Sequence, residues 1–407
     1  MGYLEKVFGL SAVLDPVSDH RAQPRIPTAL VVKSALIMFW CRLGSLHALE
    51  MSARAKFWRE WLGGAWCSAD SMGRIAAGMQ SDTLRRAMHS IYGRLKRNKV
   101  LLDLYGLGVA VLDGHETSAS YRRCCTGCLQ RTLHTAQGER IQFYHRNVTL
   151  LLLCRTPPGR PPIRLLLDLE PQRPAETEVA TALRLLQRVL THYPRAFDLV
   201  LADALYDVAP FLNFLSQHGK YALVVLKDER RNAYQDVAGL WPQMEPHRGQ
   251  YRSRRCCWWD VAELTSWPEI EGSVRIVRSE ETWTVKRQLT QQVEEQTAHW
   301  IWLTTLPVTR AGTASIVRLG HMRWDIENYG FNELVNGWHS NHVYRHREPA
   351  IECFLLLVFL AYNLFHAFLA LNLKPQVRQG KTATFWVRLL CAEIHSHPPV
   401  CTSGSFP

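Results

Sequence analysis

Hydrophobic and polar positions divide the chain into stretches of different period. Over the first hundred residues the spacing is helical: Ala29 to Leu43 is a nearly continuous apolar run, and the Trp-rich stretch FWREWLGGAW follows at 57–66. The segment SADSMGRIAAGMQSDTLRRAMHSIYGRLKRN predicts two helices joined at Gly78-Met79-Gln80. Asp70 or Ser71 would cap the first, and Ser81 or Asp82 the second. From Gly106 the pattern shortens to buried β runs. GVAVLD is a strand ending on Asp113, and Tyr144–Cys154 and Ile163–Leu169 are two more, joined by the turn chemistry of TPPGRPP into an antiparallel hairpin. Glu176–Thr191 is an amphipathic helix, Phe197–Ala202 a strand ending on Asp203, 208–218 a helix and Tyr221–Leu226 a further strand. The order is β-β-β-α-β-α-β.

Lys227 to about Trp302 breaks this rhythm with short alternating runs such as SVRIVRS and TWTVKRQ, which predict a β-rich insertion. Helix is expected again from Ala314 through GHMRWDIENYGFNELVNGW. The run Ile351–Leu373 is long enough to cross a bilayer, yet Glu352, Asn363 and His366 sit inside it. A carboxylate and an imidazole are costly in lipid, so a buried core helix is the expectation.

At 407 residues the chain is long enough for two or three domains. Its 48 Lys+Arg against 36 Asp+Glu leave a net charge of +12, which favours a polyanionic partner such as nucleic acid. Part of the excess lies on the second predicted helix, at Arg85, Arg86, Arg94, Lys96, Arg97 and Lys99. That pair of helices has the outline of a helix-turn-helix, and equally that of a helical domain with a solvated basic face. Residues 118–146 add five arginines, among them Arg122 and Arg123, against one glutamate. Eleven scattered cysteines and an N-terminus without the basic-then-apolar order of a secretory signal read as a reduced, cytoplasmic chain. Neither GxxxxGK[ST] nor GxGxxG nor GxSxG is present, which argues against nucleotide hydrolysis and a serine-hydrolase nucleophile.

Function in open α/β sheets gathers beyond strand ends, and two strands here end on aspartate. A lone strand-end aspartate is usually a cap or turn residue. Two converging on one cleft repel, and a divalent cation is the usual way to keep both ionised. A pair of Mg²⁺ ions is a standard device of phosphoryl transfer. A third carboxylate is expected from a helix, and Glu327 is the candidate, with Arg323 one turn earlier to hold a phosphate. A surface Arg–Glu pair is the plain alternative.

The order strand-Asp113, strand-Asp203, β-rich insertion, helix-Glu327 resembles the DDE transposases of bacterial insertion sequences, specifically the group with a β insertion between the second aspartate and the glutamate. The resemblance spans about 106–370 and loosely the N-terminal helices. It implies a mixed α/β chain with an RNase H-like core. The implied domains are a helical DNA-binding part at 1–105, a core in two parts at 106–227 and 303–407, and the insertion at 228–302. It further implies catalytic Asp113, Asp203 and Glu327 binding two Mg²⁺ or Mn²⁺ ions, and strand cleavage followed by strand transfer. Double-stranded DNA bearing terminal inverted repeats, target DNA and a second copy of the chain are the implied partners, met in the cytoplasm at the nucleoid. A catalytically inactive DNA-binding descendant and a nuclease on the same fold are the alternatives. The family's Tyr-x2-Arg-x3-Glu-x6-Lys signature is matched at Arg323 and Glu327, while Gly320 and Leu334 stand at its Tyr and Lys positions.

Other residues carry weaker expectations. His115 and Glu116 would orient Asp113 or simply form a polar turn, and His339, His342 and Arg345 would touch phosphate. Trp258-Trp259 would stack on a flipped base or, more often for such a pair, build the core of the insertion. Cys125 and Cys128 form a CxxC that suggests half a zinc site, with His134, His145 or Cys256-Cys257 to complete it. With no second CxxC, reduced loop cysteines are the simpler reading.

Overall fold

The computed structural model describes residues 2–53, 62, 67–136 and 138–396. Apart from Leu62, the Trp-rich stretch 57–66 lies outside them. The chain forms a mixed α/β fold divided into two units. The first comprises Met1–Leu102, Gly114–Tyr193 and Glu327–Pro407, the second Asp103–Asp113 and Pro194–Ile326.

In the first unit, helices α1 (Gly2–Phe8), α2 (Leu10–Leu14), α3 (Thr28–Trp40) and α4 (Leu46–Ala53) precede the expected helix pair. That pair is α5 (Ala69–Ala77) and α6 (Ser81–Arg97). The caps differ from expectation. Ser68 caps α5 by accepting from the Ser71 amide, and α6 starts after Gln80 with no side-chain cap. Strand β1 (Val109–Ser120) passes from the second unit into the first after Asp113. Strands β2 (Leu129–Thr135), β3 (Gly138–Cys154) and β4 (Ile163–Pro171) and helix α7 (Glu178–His192) follow. The early part of β3 pairs antiparallel with β2 and its later part with β4, so the expected hairpin is present. Strand β2 was not expected, because LQRTLHT is too polar for a buried strand. It is mostly uncovered and is held by its ladder to β3 rather than by burial.

In the second unit, β1 pairs parallel with β5 (Leu199–Ala202), and β5 parallel with β6 (Tyr221–Val225), with α8 (Ala209–Gln217) between them in sequence. These parallel pairs and the β3–β4 hairpin accord with the RNase H-like core expected from the sequence. Helix α9 (Asn232–Leu240) then leads to β7 (His247–Tyr251), β8 (Arg254–Leu264), β9 (Val274–Lys286) and β10 (Val293–Thr304). They form an antiparallel meander that returns to β6 through β10. Helix α10 (Thr313–Met322) ends the unit's regular structure.

Back in the first unit, α11 (Asn332–Trp338) precedes α12 (Glu348–Leu371), the long apolar helix. Short α13 (Pro375–Arg378) and α14 (Ala383–Ser396) end the chain's described part. Helix α12 would be long enough to span a membrane, but 83% of its apolar window is buried inside the protein, against β4, α3, α5 and α6. Glu352, Asn363 and His366, inside its apolar run, each meet a partner. Glu352 accepts from Arg85, His366 Nε2 lies 2.8 Å from Glu333, and Asn363 bonds the backbone of β4 twice. The Leu166 amide donates to Asn363 Oδ1 at 2.9 Å, and Asn363 Nδ2 donates to the Leu166 carbonyl at 2.8 Å. A β-bulge falls at this point of the β3–β4 ladder. Asn363 thus closes the edge of β4 where a strand would otherwise pair.

Replacing Asn363 with Leu leaves both Leu166 backbone groups buried and unpaired. We expect a loss of about 2–4 kcal/mol in urea unfolding; an unchanged midpoint and slope would show the edge to be satisfied otherwise.

Candidate active site

The two strand-end aspartates are positioned by register. Strands β1 and β5 pair Val109 with Leu199, Ala110 with Val200 and Val111 with Leu201. Two positions further on stand Asp113 and Asp203, which therefore extend the same sheet face from neighbouring strands about 4.8 Å apart. The close entry of the strands depends on Gly108, where a Cβ would come within 2.9 Å of the Phe197 Cα. Asp203 leaves β5 in extended backbone and accepts the Leu205 amide at 2.9 Å, capping a single 3-10 turn, Ala204–Tyr206. Arg323 Nη1 lies 3.4 Å from Asp113 Oδ2, and its guanidinium also stacks 4.2 Å over Trp324.

Arg323 and Glu327 do not share one continuous helix, as their spacing suggests. Helix α10 ends at Met322, Arg323 and Trp324 form a turn, and Ile326–Phe331 is a π-helical turn that leads into α11. Such wide turns cost regular hydrogen bonding and recur at functional sites. Glu327 lies in the first turn of this element. The His115 ring stacks on Phe331 at 4.4 Å. Burial holds that ring below its ordinary pKa, against the opposing pull of Asn341, Glu116 and Glu327. Glu327 therefore sits within electrostatic reach of the strand residue two places past Asp113. Glu116 points elsewhere, in a two-pronged pair with Arg131 at 2.8 and 2.9 Å.

One acidic residue near the strand end went unnoticed in the sequence. Glu178, in the first turn of α7, packs so closely on Gly114 that a Cβ there would meet its carboxylate at 2.4 Å, and Arg146 pairs with it at 3.2 Å. A helix-start glutamate looks like ordinary dipole chemistry, and only the glycine after Asp113 hints at the approach.

The missing half of the signature has a packing cause. A Cβ on Gly320 would come within 2.4 Å of the Trp302 indole, so the buried Trp302 fills the space a tyrosine would need. Leu334 is core.

The basic residues separate into two groups. Arg85, expected on the DNA-facing side, is a correction: it is buried and binds Asp168 at 2.9 Å and Glu352 at 2.5 Å. Arg86, Lys96, Arg97, Arg122 and Arg123 are exposed, and Arg94 is half-buried with a long bond to the Val7 carbonyl. His339 lies 3.2 Å from the Arg42 carbonyl and Arg345 pairs with Asp70 at 3.5 Å, while His342 is exposed. Trp258 is core, seated over Gly249, and Trp259 is partly covered by Arg278. Cys125 and Cys128 come together with His145 and with His346, which sequence reasoning missed. His134 faces Glu139 in solvent instead.

Asp113, Asp203 and Glu327 offer hard oxygen donors of the kind Mg²⁺ and Mn²⁺ prefer, and the shared face of the two aspartates suits a bound cation. A family model described as Transposase DDE domain matches residues 130–364, more than half of the chain. The chain belongs to the transposase DDE domain family. The match includes Asp203 and Glu327 and starts downstream of Asp113, whose assignment rests on its strand register. No curated protein matches the chain. Membership gives the chain a transposase- or nuclease-type domain that acts on DNA, in a family that generally uses divalent metals.

The second aspartate of ADALYD, Asp207, behaves unlike Asp203. It is buried beside Arg231 at 2.9 Å, and burial outweighs that partner and raises its pKa to about 6. Between about pH 4 and pH 6 the native state keeps a proton that the unfolded chain has released, so this group's contribution to stability falls as pH rises. The stability of the wild type relative to Asp207→Asn should therefore decline across that window in thermal or urea unfolding. A relative gain with rising pH would reverse the assignment.

Proposed function

We propose that the chain is an active DDE transposase that cuts and joins the ends of an insertion sequence, with Asp113, Asp203 and Glu327 as the residues holding two Mg²⁺ or Mn²⁺ ions. The reading is carried by Asp113 and Asp203 extending one sheet face from adjacent parallel strands in a chain of the DDE family. The influence of Glu327 on His115, just past Asp113, supports its place in the set. The bound ions would supply Lewis acidity at the scissile phosphate and its attacking oxygen.

The protein's own residues orient the reactants. Arg323 holds the Asp113 carboxylate and brings a positive charge to the strand end where a phosphate would lie. His115, wedged on Phe331, fixes the backbone that follows Asp113. Arg86, Arg94, Lys96 and Arg97 on α6, with Arg122 and Arg123, would contact the DNA backbone and set its register. Attack of water on the phosphodiester at the element's end breaks the bond to the 3′ oxygen and leaves a 3′-hydroxyl. That hydroxyl then attacks a target phosphodiester, forms the new P–O bond and displaces the target's 3′ oxygen. Two copies would act on paired terminal repeats, in the cytoplasm at the nucleoid.

The test is Mg²⁺-dependent cleavage and joining of DNA carrying the inverted repeats that flank the reading frame. Asp203→Asn should lower cleavage by about two orders of magnitude or more while end binding persists. Undiminished cleavage in the variant would remove Asp203 from the site. Wild-type binding without cleavage would mark an inactive descendant, and cleavage without joining a nuclease.

A further inference from the structure

We infer that Cys125, Cys128, His145 and His346 form a closed structural zinc site, separate from the carboxylates of the proposed reaction. The four residues come from three places in the first unit: the connection between β1 and β2, strand β3, and the segment just before α12. Cys125 Sγ and Cys128 Sγ lie 3.7 Å apart. His145 Nε2 is 3.4 Å from Cys125 Sγ and 3.3 Å from Cys128 Sγ, and His346 Nε2 is 3.5 Å from Cys128 Sγ. All four ligand atoms fall within 4.8 Å of one another.

The sulfur–sulfur distance and the three sulfur–nitrogen distances are close to those around a tetrahedral ion. With Zn–S near 2.3 Å and Zn–N near 2.0–2.1 Å, tetrahedral angles put two sulfurs about 3.8 Å apart and a sulfur and a nitrogen about 3.6 Å apart. Hydrogen bonding alone serves the group poorly. His145 Nε2 faces two sulfurs, yet a neutral ring nitrogen offers one lone pair or one N–H. Cys128 Sγ faces two imidazole nitrogens and also accepts the Cys125 amide at 3.2 Å, so its single thiol proton cannot serve both rings. A cation at the common centre satisfies every one of these contacts. Gly127 lets the loop in close, since a Cβ there would meet the Glu348 side chain at 2.8 Å.

Two thiolates and two imidazoles are a soft, closed donor set that selects Zn²⁺ over Mg²⁺ and leaves no position for substrate. Binding releases the protons of both thiols to solvent. The ion's role is to tie an otherwise polar loop to β3 and to the start of α12, next to exposed Arg122 and Arg123. Only the suggestion that those arginines meet DNA rests on the transposase reading; metal binding does not.

The experiment is metal analysis of the full chain, purified without a metal-affinity tag from zinc-supplemented medium, alongside Co²⁺ substitution. We expect about one zinc per chain, retained in Asp203→Asn and in His346→Cys, and less than about a tenth in Cys128→Ser and His346→Ala. Cobalt should give the intense visible bands of a tetrahedral ion together with thiolate charge transfer. A zinc-free wild type whose cobalt spectrum lacks those features would overturn the site. Because the cobalt measurement uses the wild type, it still decides the matter if a variant fails to fold. Loss of cleavage in Asp203→Asn with zinc retained separates this site's fate from that of the carboxylates.

Discussion

A 24-residue helix that is apolar nearly all round cannot rest on a surface, and much of the first unit is organised by the need to bury it. Helices α3, α5 and α6 cover α12 on some sides, and strand β4 covers another. Each buried Leu or Phe contributes roughly 1.5–3 kcal/mol by leaving water, so the assembly of these elements is driven mainly by this one helix. Its polar residues then act as alignment points. Asn363 pins the helix to the backbone of β4, and Glu352 reaches Arg85 on α6. Trp40 on α3 donates its indole N–H to the Ala361 carbonyl at 2.9 Å.

That burial also decides which basic side chains remain exposed. Arg85 sits at the centre of an internal network in which Asp168 accepts from Arg85 and from Arg188, and Glu170 pairs with Arg188 and Arg184. Removing one partner of such a network costs more than the network itself contributes, because it strands a buried charge. Within α6, adjacent arginines therefore have opposite roles: Arg85 faces α12 and β4, while Arg86 faces solvent. A helical period of 3.6 separates them by about 100°, which a count of basic residues cannot register.

Much of the fold was legible because its strands are short apolar runs ending on polar residues. GVAVLD and FDLVLAD read as strands by composition alone, and their pairing then put Asp113 and Asp203 on one face. What escaped was set by partners distant in sequence. Strand β2 owes its existence to a ladder with β3 rather than to apolar side chains. His346 stands 218 residues from Cys128, so no local spacing could link it to the CxxC. The caps were missed for a smaller reason: the segment offers several Ser and Asp residues in a row, and Ser68, the earliest, takes the role.

The break between Arg323 and Glu327 shows how a matched motif can still mislead about geometry. A spacing of four on an α-helix places both side chains on one face. Here a turn follows α10 and the next element is wider than an α-helix, so each residue is aimed by its own neighbours: Arg323 by Asp113 and Trp324, Glu327 by the π-helical turn that also positions Phe331 against His115. The two unmatched signature positions fall on either side of this break, at Gly320 under Trp302 and at the buried Leu334. Packing occupies both, so the signature persists only in the four-residue step that the break itself spans. Regular helix on each side serves the core, and the irregular backbone between carries the residues with candidate chemistry.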